Sequence, residues 1–456
     1  MSHISVAMLG AGSGFVINIA REMAEHESLQ EARFVLMDPD ARRLDRAAAA
    51  VRNILAARAP GIAVETTPHL EPALDGCDYV IASCEQDRYP NWIKDVEIPL
   101  RHGVHQFTAE NGGPGGIAHA MRNISMFMPI LAEMEHRCPK AWLLNFTNPM
   151  SFLCTYFKNY SSIRALGFCH QMHGSFGVIA EMLGMRPGDL EVVAGGINHF
   201  SWLFDIFRKG TRESYRDEFL KQVRQSKYWR ENRPNIPMQK FTLEILDTFG
   251  AYCVGYDDHI IEYLPFFYED TEWAEQGYEG ILTRRLRPTR EKGDAGKTLE
   301  AMTLLAESRS REIPFPADDA HPYYAEKPCA VIDALLTNRP LYLDAINIVN
   351  HGSIDNLPPD AIVDIPAVVV GGEVRGIHVG ELPAGPMELC RRQITIHEMI
   401  AKATHEGDEK LVEQALCLAP YVRSITQARR IWADFKKEFA QYLPTFQEGK
   451  QNVREC

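Results

Sequence analysis

The sequence has no run of about 18 apolar residues, so no membrane-spanning helix is expected. Its start has neither a basic n-region nor an apolar h-region, and no signal peptide is expected. Positive charge is in deficit: 48 Lys and Arg face 61 Asp and Glu, a net charge of −13. That balance argues against a nucleic-acid backbone or an anionic membrane as main partner, although a local cationic pocket remains compatible with it. Ten cysteines occur without a C-x-x-C pair or a regular framework. In a chain of this size they read as mostly free thiols in a reducing, cytoplasmic compartment. Repeats and low-complexity segments are also lacking. The 45% hydrophobic and 24% charged residues over 456 positions suit a globular protein with room for two domains.

The first ordered signal is a short apolar run, residues 4–9, ending at Gly10-Ala11-Gly12-Ser13-Gly14-Phe15, with a helical pattern from Val16 to about His26. Strand, glycine turn and helix in that order open a dinucleotide-binding βαβ unit. Gly10, Gly12 and Ser13 are the candidate phosphate-side contacts, because a backbone without Cβ atoms can approach a pyrophosphate at a helix N-terminus. The third glycine of G-x-G-x-x-G is replaced by Phe15. A second apolar strand, Phe34–Met37, ends at Asp38. An acid there can accept both ribose hydroxyls and favours NAD over NADP; a strand-terminal Asp capping the next helix is the alternative. Further apolar strands alternate with helices at 62–67, 78–83, 141–145, 164–169 and 192–197. The expected fold is therefore α/β, a Rossmann-type doubly wound parallel sheet over residues 1–200. A mixed α+β domain over 201–456 is expected to bind substrate and carry helices that cover the sheet.

Ligands in such sheets sit beyond the carboxyl ends of the strands. Several polar groups fall there: Asn145 and Asn148, then Cys169, His170 and His173 in Gly167-Phe-Cys-His-Gln-Met-His-Gly174, then Asn198 and His199. Thiolate plus imidazole is a ligand pair for a divalent transition metal, whereas a lone buried Cys is common in cores. Glu110 and Asn111 lie in a stretch with four glycines, at 112, 113, 115 and 116, before a helix expected from about 118 to 136. Such a stretch is either an active-site segment or a long turn. Tyr252–Pro265 is an apolar stretch interrupted by Asp257, Asp258, His259, Glu262 and Tyr263.

The order of these marks resembles the family 4 glycoside hydrolases, NAD- and metal-dependent glycosidases related to the lactate/malate dehydrogenases. The resemblance rests on Gly10-x-Gly12-Ser13, Asp38, Gly112-Gly-Pro-Gly-Gly116, Thr147-Asn148-Pro149, Cys169-His170, Gly196-Ile-Asn198-His199-Phe-x-Trp202 and Asn350-x-Gly352-x-Ile354-x-Asn356-Leu357-Pro358. It implies Cys169 and His199 as protein ligands of Mn²⁺, and NAD as a cofactor that is regenerated in each cycle. It also implies C3 oxidation of the sugar, loss of the C2 proton and elimination of the aglycone, in place of the usual carboxylate pair.

Under the same resemblance Tyr263 or Asp257 is the base and His170 the acid. Asn148, Glu110 and Asn111 are substrate-side residues, and His173 and Arg311 could hold a uronate carboxylate. The Cys169-His170-Gln171-Met172-His173 form is nearest to the members acting on uronic acids, α-galacturonides or α-glucuronides. An α-glucosidase, α-galactosidase or sulfosugar glycosidase of the same family is the alternative, and a hydroxy-acid dehydrogenase the rival outside it. A homodimer or homotetramer is the expected assembly.

Overall fold

A computed structural model describes residues 4–13, 15–106, 108–225, 240–267 and 326–446. The charged stretch at residues 269–312, including Arg311, lies outside the described residues. So do residues 226–239, which follow the helix Arg216–Gln225.

Strand β1 is Ser5–Leu9, β2 Arg33–Met37, β3 Ala63–Thr67, β4 Tyr79–Ala82, β5 Trp142–Asn145 and β6 Arg164–Gly167. These pair in parallel in the order β3-β2-β1-β4-β5-β6, the arrangement of a doubly wound dinucleotide-binding sheet. Ser5–Leu9 is buried along its whole length, as an uninterrupted apolar strand in a covered parallel sheet must be. Alternate residues serve two cores. Val6, Met8, Phe34 and Leu36 face one, and Ala7, Leu9, Val35 and Val80 the other.

The sheet does not stop at β6. It continues through β10 (Leu341–Val349), β11 (Ile362–Val370), β7 (Leu190–Ile197), β8 (Phe200–Arg208) and β9 (Cys253–Val254), all antiparallel, with β12 (Glu373–Gly376) paired to β11. Residue 200, where the sequence reading puts the domain boundary, is the first residue of β8 in the β7–β8 hairpin.

Strand β11 runs unbroken through Pro366, from Ile362 to Val370. Proline cannot donate to a ladder, and here the register with β10 shifts between Leu343 and Ile346, opposite Pro366. The helix expected from about 118 begins earlier, at Gly113, so the glycines form its first turn, with Pro114 where a missing N–H costs nothing. Helices Ala384–Glu406, Glu409–Leu418 and Ile425–Glu438 send Ile400, Val412, Trp432 and Phe435 into the same core as Leu9, Val80, Phe127 and Phe152. Among the described residues no helix is long and apolar enough to cross a membrane.

Candidate active site

The carboxyl ends of the parallel strands converge on one edge of the sheet. After β1, Gly10 turns with φ +76°, and the N–H groups of Gly10 and Ala11 donate to Met37 O at 3.0 and 2.9 Å. Gly12 N–H donates to Asp38 Oδ2 at 2.8 Å. A Cβ at Gly12 would fall 2.6 Å from that oxygen, and one at Gly10 would fall 2.3 Å from Ser83 O. The loop is thus a glycine cradle against the tip of β2. The helix that follows, Ala41–Arg58, is capped by Asp40, whose carboxylate accepts from the N–H groups of Arg42 and Arg43. The capping alternative for Asp38 therefore falls to its neighbour.

Cys169 follows β6, and His199 lies in the turn that joins β7 to β8. His199 has φ +64°, a left-handed conformation that β-carbon residues seldom adopt and that concentrates at functional turns. The turn brings His199 Nε2 to 3.1 Å from Cys169 Sγ, and the Asn111 amide lies 2.8 Å from His199 Nδ1. Burial, and then the Asp364 carboxyl, push the Cys169 thiol up to about 12. Burial and the neighbouring His259 hold His199 well below the usual imidazole range, so its ring is neutral. A neutral imidazole beside a thiol that a divalent cation would deprotonate is a donor set that fits such a cation.

Glu110, His199 and His259 each place one ligand-type atom within 4.8 Å of the others. The rings of His199 and His259 are 4.1 Å apart between centroids. Glu262 organises this corner. Its Oε2 accepts from the N–H groups of Glu110, Asn111 and Gly112 at 2.8, 2.6 and 3.0 Å, and its Oε1 lies 2.9 Å from His259 Nδ1. Arg88 binds Glu110 and, at 2.8 Å, Glu85. Burial works against the ionised form of Glu110, but Arg88 and then His259 outweigh it and hold its carboxyl well below the usual range.

His119 lies between Glu85 (2.6 Å) and the Glu110 carbonyl (2.9 Å). Asn123 beside it donates to Asn148 O at 2.6 Å. His259, Glu262, Glu85, Arg88, His119 and Asn123 were not among the residues selected from the sequence. His259-x-x-Glu262 and Glu85-x-x-Arg88, the latter just past β4, carried the available signal.

The remaining expected residues take different positions. Tyr263 is buried, stacks on Phe200 and donates its hydroxyl to Asn198 O at 3.1 Å. Burial and then Glu262 push its pKa well above the ordinary phenol value, so the hydroxyl stays protonated in this environment; a nearby divalent cation would act in the opposite direction. Asp257 is buried and accepts from Phe241 N, Thr242 N and Thr242 Oγ1 at 3.0, 3.1 and 2.7 Å. It anchors the first turn of helix Lys240–Phe249. His170 is half exposed and pairs with Glu326 at 3.2 Å. His173 is lowered by burial, and its Nδ1 has no hydrogen-bond partner among the described residues. Asn148 Oδ1 and Ser13 Oγ, both buried, are likewise without partners among the described residues. Polar atoms left unpaired in a cleft are what a bound sugar or nucleotide would satisfy.

The sequence model of the family 4 glycosyl hydrolases matches residues 5–185, and that of their C-terminal domain matches residues 194–422. An alpha-galacturonidase of Bacillus subtilis is 30% identical over 386 residues, covering 79% of this chain and 80% of its own. An alpha-galactosidase of the same organism is 28% identical over 419 residues, covering 91% and 93%. A solved 6-phospho-alpha-glucosidase from gut microorganisms, in complex with NAD and Mn²⁺, superposes with a TM-score of 0.75 at 19% identity, covering 98% of this chain and 100% of that one. A malate dehydrogenase from Plasmodium falciparum shares the fold at a TM-score of 0.50 and 11% identity, covering 88% and 99%.

Proposed function

We propose, from the premise that the chain belongs to the family 4 glycosyl hydrolases, that this glycoside hydrolase cleaves an α-glycoside of a uronic acid with NAD and a Mn²⁺-type ion as cofactors. The observation that carries the reading is the 3.1 Å meeting of Cys169 Sγ and His199 Nε2 at the same edge of the sheet as the Gly10–Ser13 cradle. Membership sets aside the hydroxy-acid dehydrogenase considered from the sequence. The relatives' names support the uronic acid: several are alpha-galacturonidases, one of them 30% identical. The half-exposed His170, and the buried Nδ1 atom of His173 without a partner among the described residues, agree with an acidic, polar substrate. A neutral α-galactoside is the second reading, favoured by the alpha-galactosidase relative.

When bound, NAD accepts a hydride from C3 of the sugar, and the cation acts as a Lewis acid toward the oxygens at C2 and C3. Gly10, Gly12 and Ser13 would hold the nucleotide phosphates and Asp38 the ribose, while Cys169 and His199 hold the cation. Asn148 binds the ring hydroxyls, and Asn123 fixes its backbone. Tyr263 would take the C2 proton as its phenolate, having first lost its own hydroxyl proton. The Asn198 carbonyl and the Phe200 face fix its oxygen, and Asp257 is the alternative base. His170 gives a proton to the leaving oxygen, with Glu326 orienting its ring. Glu110 and Asn111 line the cation side. Residues 1–200 would form the nucleotide-binding part and 201–456 the substrate-binding and assembly part of a homodimer or homotetramer.

The test is aglycone release from p-nitrophenyl α-galacturonide, α-glucuronide, α-galactoside, α-glucoside and a sulfoquinovoside, with and without Mn²⁺, NAD⁺ and a thiol reductant. The expected result is release from a uronide that needs both Mn²⁺ and NAD⁺ and leaves no net NADH. Release from the neutral sugars alone would sink the uronide, and net NADH from a hydroxy acid would sink the glycosidase chemistry.

A further inference from the structure

Tyr263 stands in a single 3₁₀ turn, Ile261–Tyr263, and a turn that short does not hold its own geometry. Its last carbonyls have no partners within the turn, so its position depends on what meets them from outside. We propose that Tyr421 is a positioning residue for Tyr263: its hydroxyl, braced by the C-terminal helices, fixes the turn that aims the Tyr263 phenol at the sugar. This inference rests on the reading of Tyr263 as the base.

The Tyr421 hydroxyl lies between two carbonyls of that segment. It donates to Ile261 O and lies 3.0 Å from Leu264 O, so the acceptors on either side of Glu262-Tyr263 share one donor. From helix Ala384–Glu406, Arg392 Nη2 donates to the Tyr263 carbonyl at 3.4 Å. The carbonyls of residues 261, 263 and 264 are thus all met from the C-terminal part of the chain. At the far end of the Tyr263 side chain, its hydroxyl donates to Asn198 O at 3.1 Å. Held by its backbone on one side and by its oxygen on the other, the phenol is fixed along its length.

Tyr421 keeps this place against its own backbone preference. Its φ is +83°, a left-handed conformation that is an outlier for a bulky side chain and persists only where the surroundings over-determine it. It lies between helices Glu409–Leu418 and Ile425–Glu438, whose Val412, Trp432 and Phe435 are core residues, so its support is firm. The ring also meets the glycine loop: a Cβ at Gly113 would fall 3.5 Å from Tyr421 Cδ2, and one at Gly112 would fall 2.6 Å from Glu262 O. One tyrosine therefore joins the C-terminal helices to both the Tyr263 turn and the loop before helix Gly113–Arg137. Packing against the loop needs only the ring. The turn uses the hydroxyl, so removing the oxygen alone separates the two roles.

The test uses the full chain with Mn²⁺ and NAD⁺ and the p-nitrophenyl glycoside of the panel above that the wild type turns over fastest, with hydrogen or deuterium at C2. Tyr421→Phe keeps the ring and should lower kcat by ~10-fold, as a small displacement of a reacting group does. KM and the Mn²⁺ and NAD⁺ affinities should stay within ~2-fold of wild type. The C2 deuterium isotope effect should be at least as large as in the wild type, because the slowed step is proton removal. Adding Tyr421→Phe to Tyr263→Phe should cost no further activity, since the effect passes through Tyr263. Wild-type kcat in Tyr421→Phe, a smaller isotope effect, or fully additive losses in the double variant would each overturn the positioning role. Full kcat in Tyr263→Phe would sink the base reading and this inference with it, whereas a crippled Tyr263→Phe beside a fully active Tyr421→Phe sinks the positioning role alone.

Discussion

Tyr263 and Asp257 are both titratable and buried, and their surroundings separate their roles. Asp257 spends its carboxylate on the first turn of helix Lys240–Phe249, whereas the Tyr263 hydroxyl donates to the Asn198 carbonyl. Tyr263→Phe should therefore lower kcat by at least ~100-fold while costing about 1 kcal/mol of stability for one lost hydrogen bond. Asp257→Ala should cost about 1–2 kcal/mol, in the manner of a lost helix cap. Thermal melts and steady-state kinetics on both variants check this; full kcat in Tyr263→Phe beside a dead but stable Asp257→Asn would reverse the assignment.

A second residue-scale prediction concerns Glu22, away from the site. Burial raises its carboxyl to about 7, against hydrogen bonds from the 329–330 backbone. Between the unfolded and folded pKa values the folded state holds the extra proton, so stability is full below about 4.5 and falls as pH rises toward 7. Glu22→Gln should remove that fall, leaving wild type and variant alike at pH 4.5 and the variant more stable at pH 8 by on the order of 3 kcal/mol. Melting temperatures across that pH range read it out, and parallel curves for the two proteins would refute it.

At the scale of elements, the nucleotide cradle is a contact between one loop and one strand tip. Gly12→Ala would set a methyl 2.6 Å from Asp38 Oδ2 and 2.8 Å from Arg43 Cβ. The expected outcome is at least ~10-fold weaker NAD⁺ binding by calorimetry with Mn²⁺ binding unchanged, because Cys169 and His199 stand on other elements; equal loss of both would show that the loop supports the whole edge. This cradle was legible in the sequence because strand, glycines and acid are contiguous signals. The parallel strands were legible for the same reason: each is a short apolar run bounded by turns. Strand β8 and most of β10 were not, since Phe200–Arg208 and Leu341–Val349 carry polar residues on faces that only tertiary packing covers. The helix start at Gly113 was hidden by glycines, which weaken local propensity yet allow the chain to lie against Asp95 O and Asn111. His259 and Glu262 were visible as polar letters in an apolar stretch. Their role was not, because it depends on a loop 150 residues away.

For the whole molecule, the governing fact is that one sheet runs through the described residues and its two largest cores each draw on both ends of the chain. Leu9, Val80 and Phe152 share a core with Ile400, Trp432 and Phe435, and β6 is joined to β10 and through it to β11, β7 and β8. Nucleotide-side and substrate-side residues are therefore expected to unfold together, even where their chemistry is distinct. Cutting the chain near residue 200 would divide the β7–β8 hairpin and expose the apolar face that the C-terminal helices cover. A ligand at 100 times its Kd adds about 2.7 kcal/mol to the state that binds it. If folding is one unit, NAD⁺ and Mn²⁺ must each raise the same calorimetric transition, and the shifts must accumulate when both are present. If the halves are independent, two transitions appear and NAD⁺ moves only one. The shared core predicts the single transition, and differential scanning calorimetry with each ligand alone and then together distinguishes the cases.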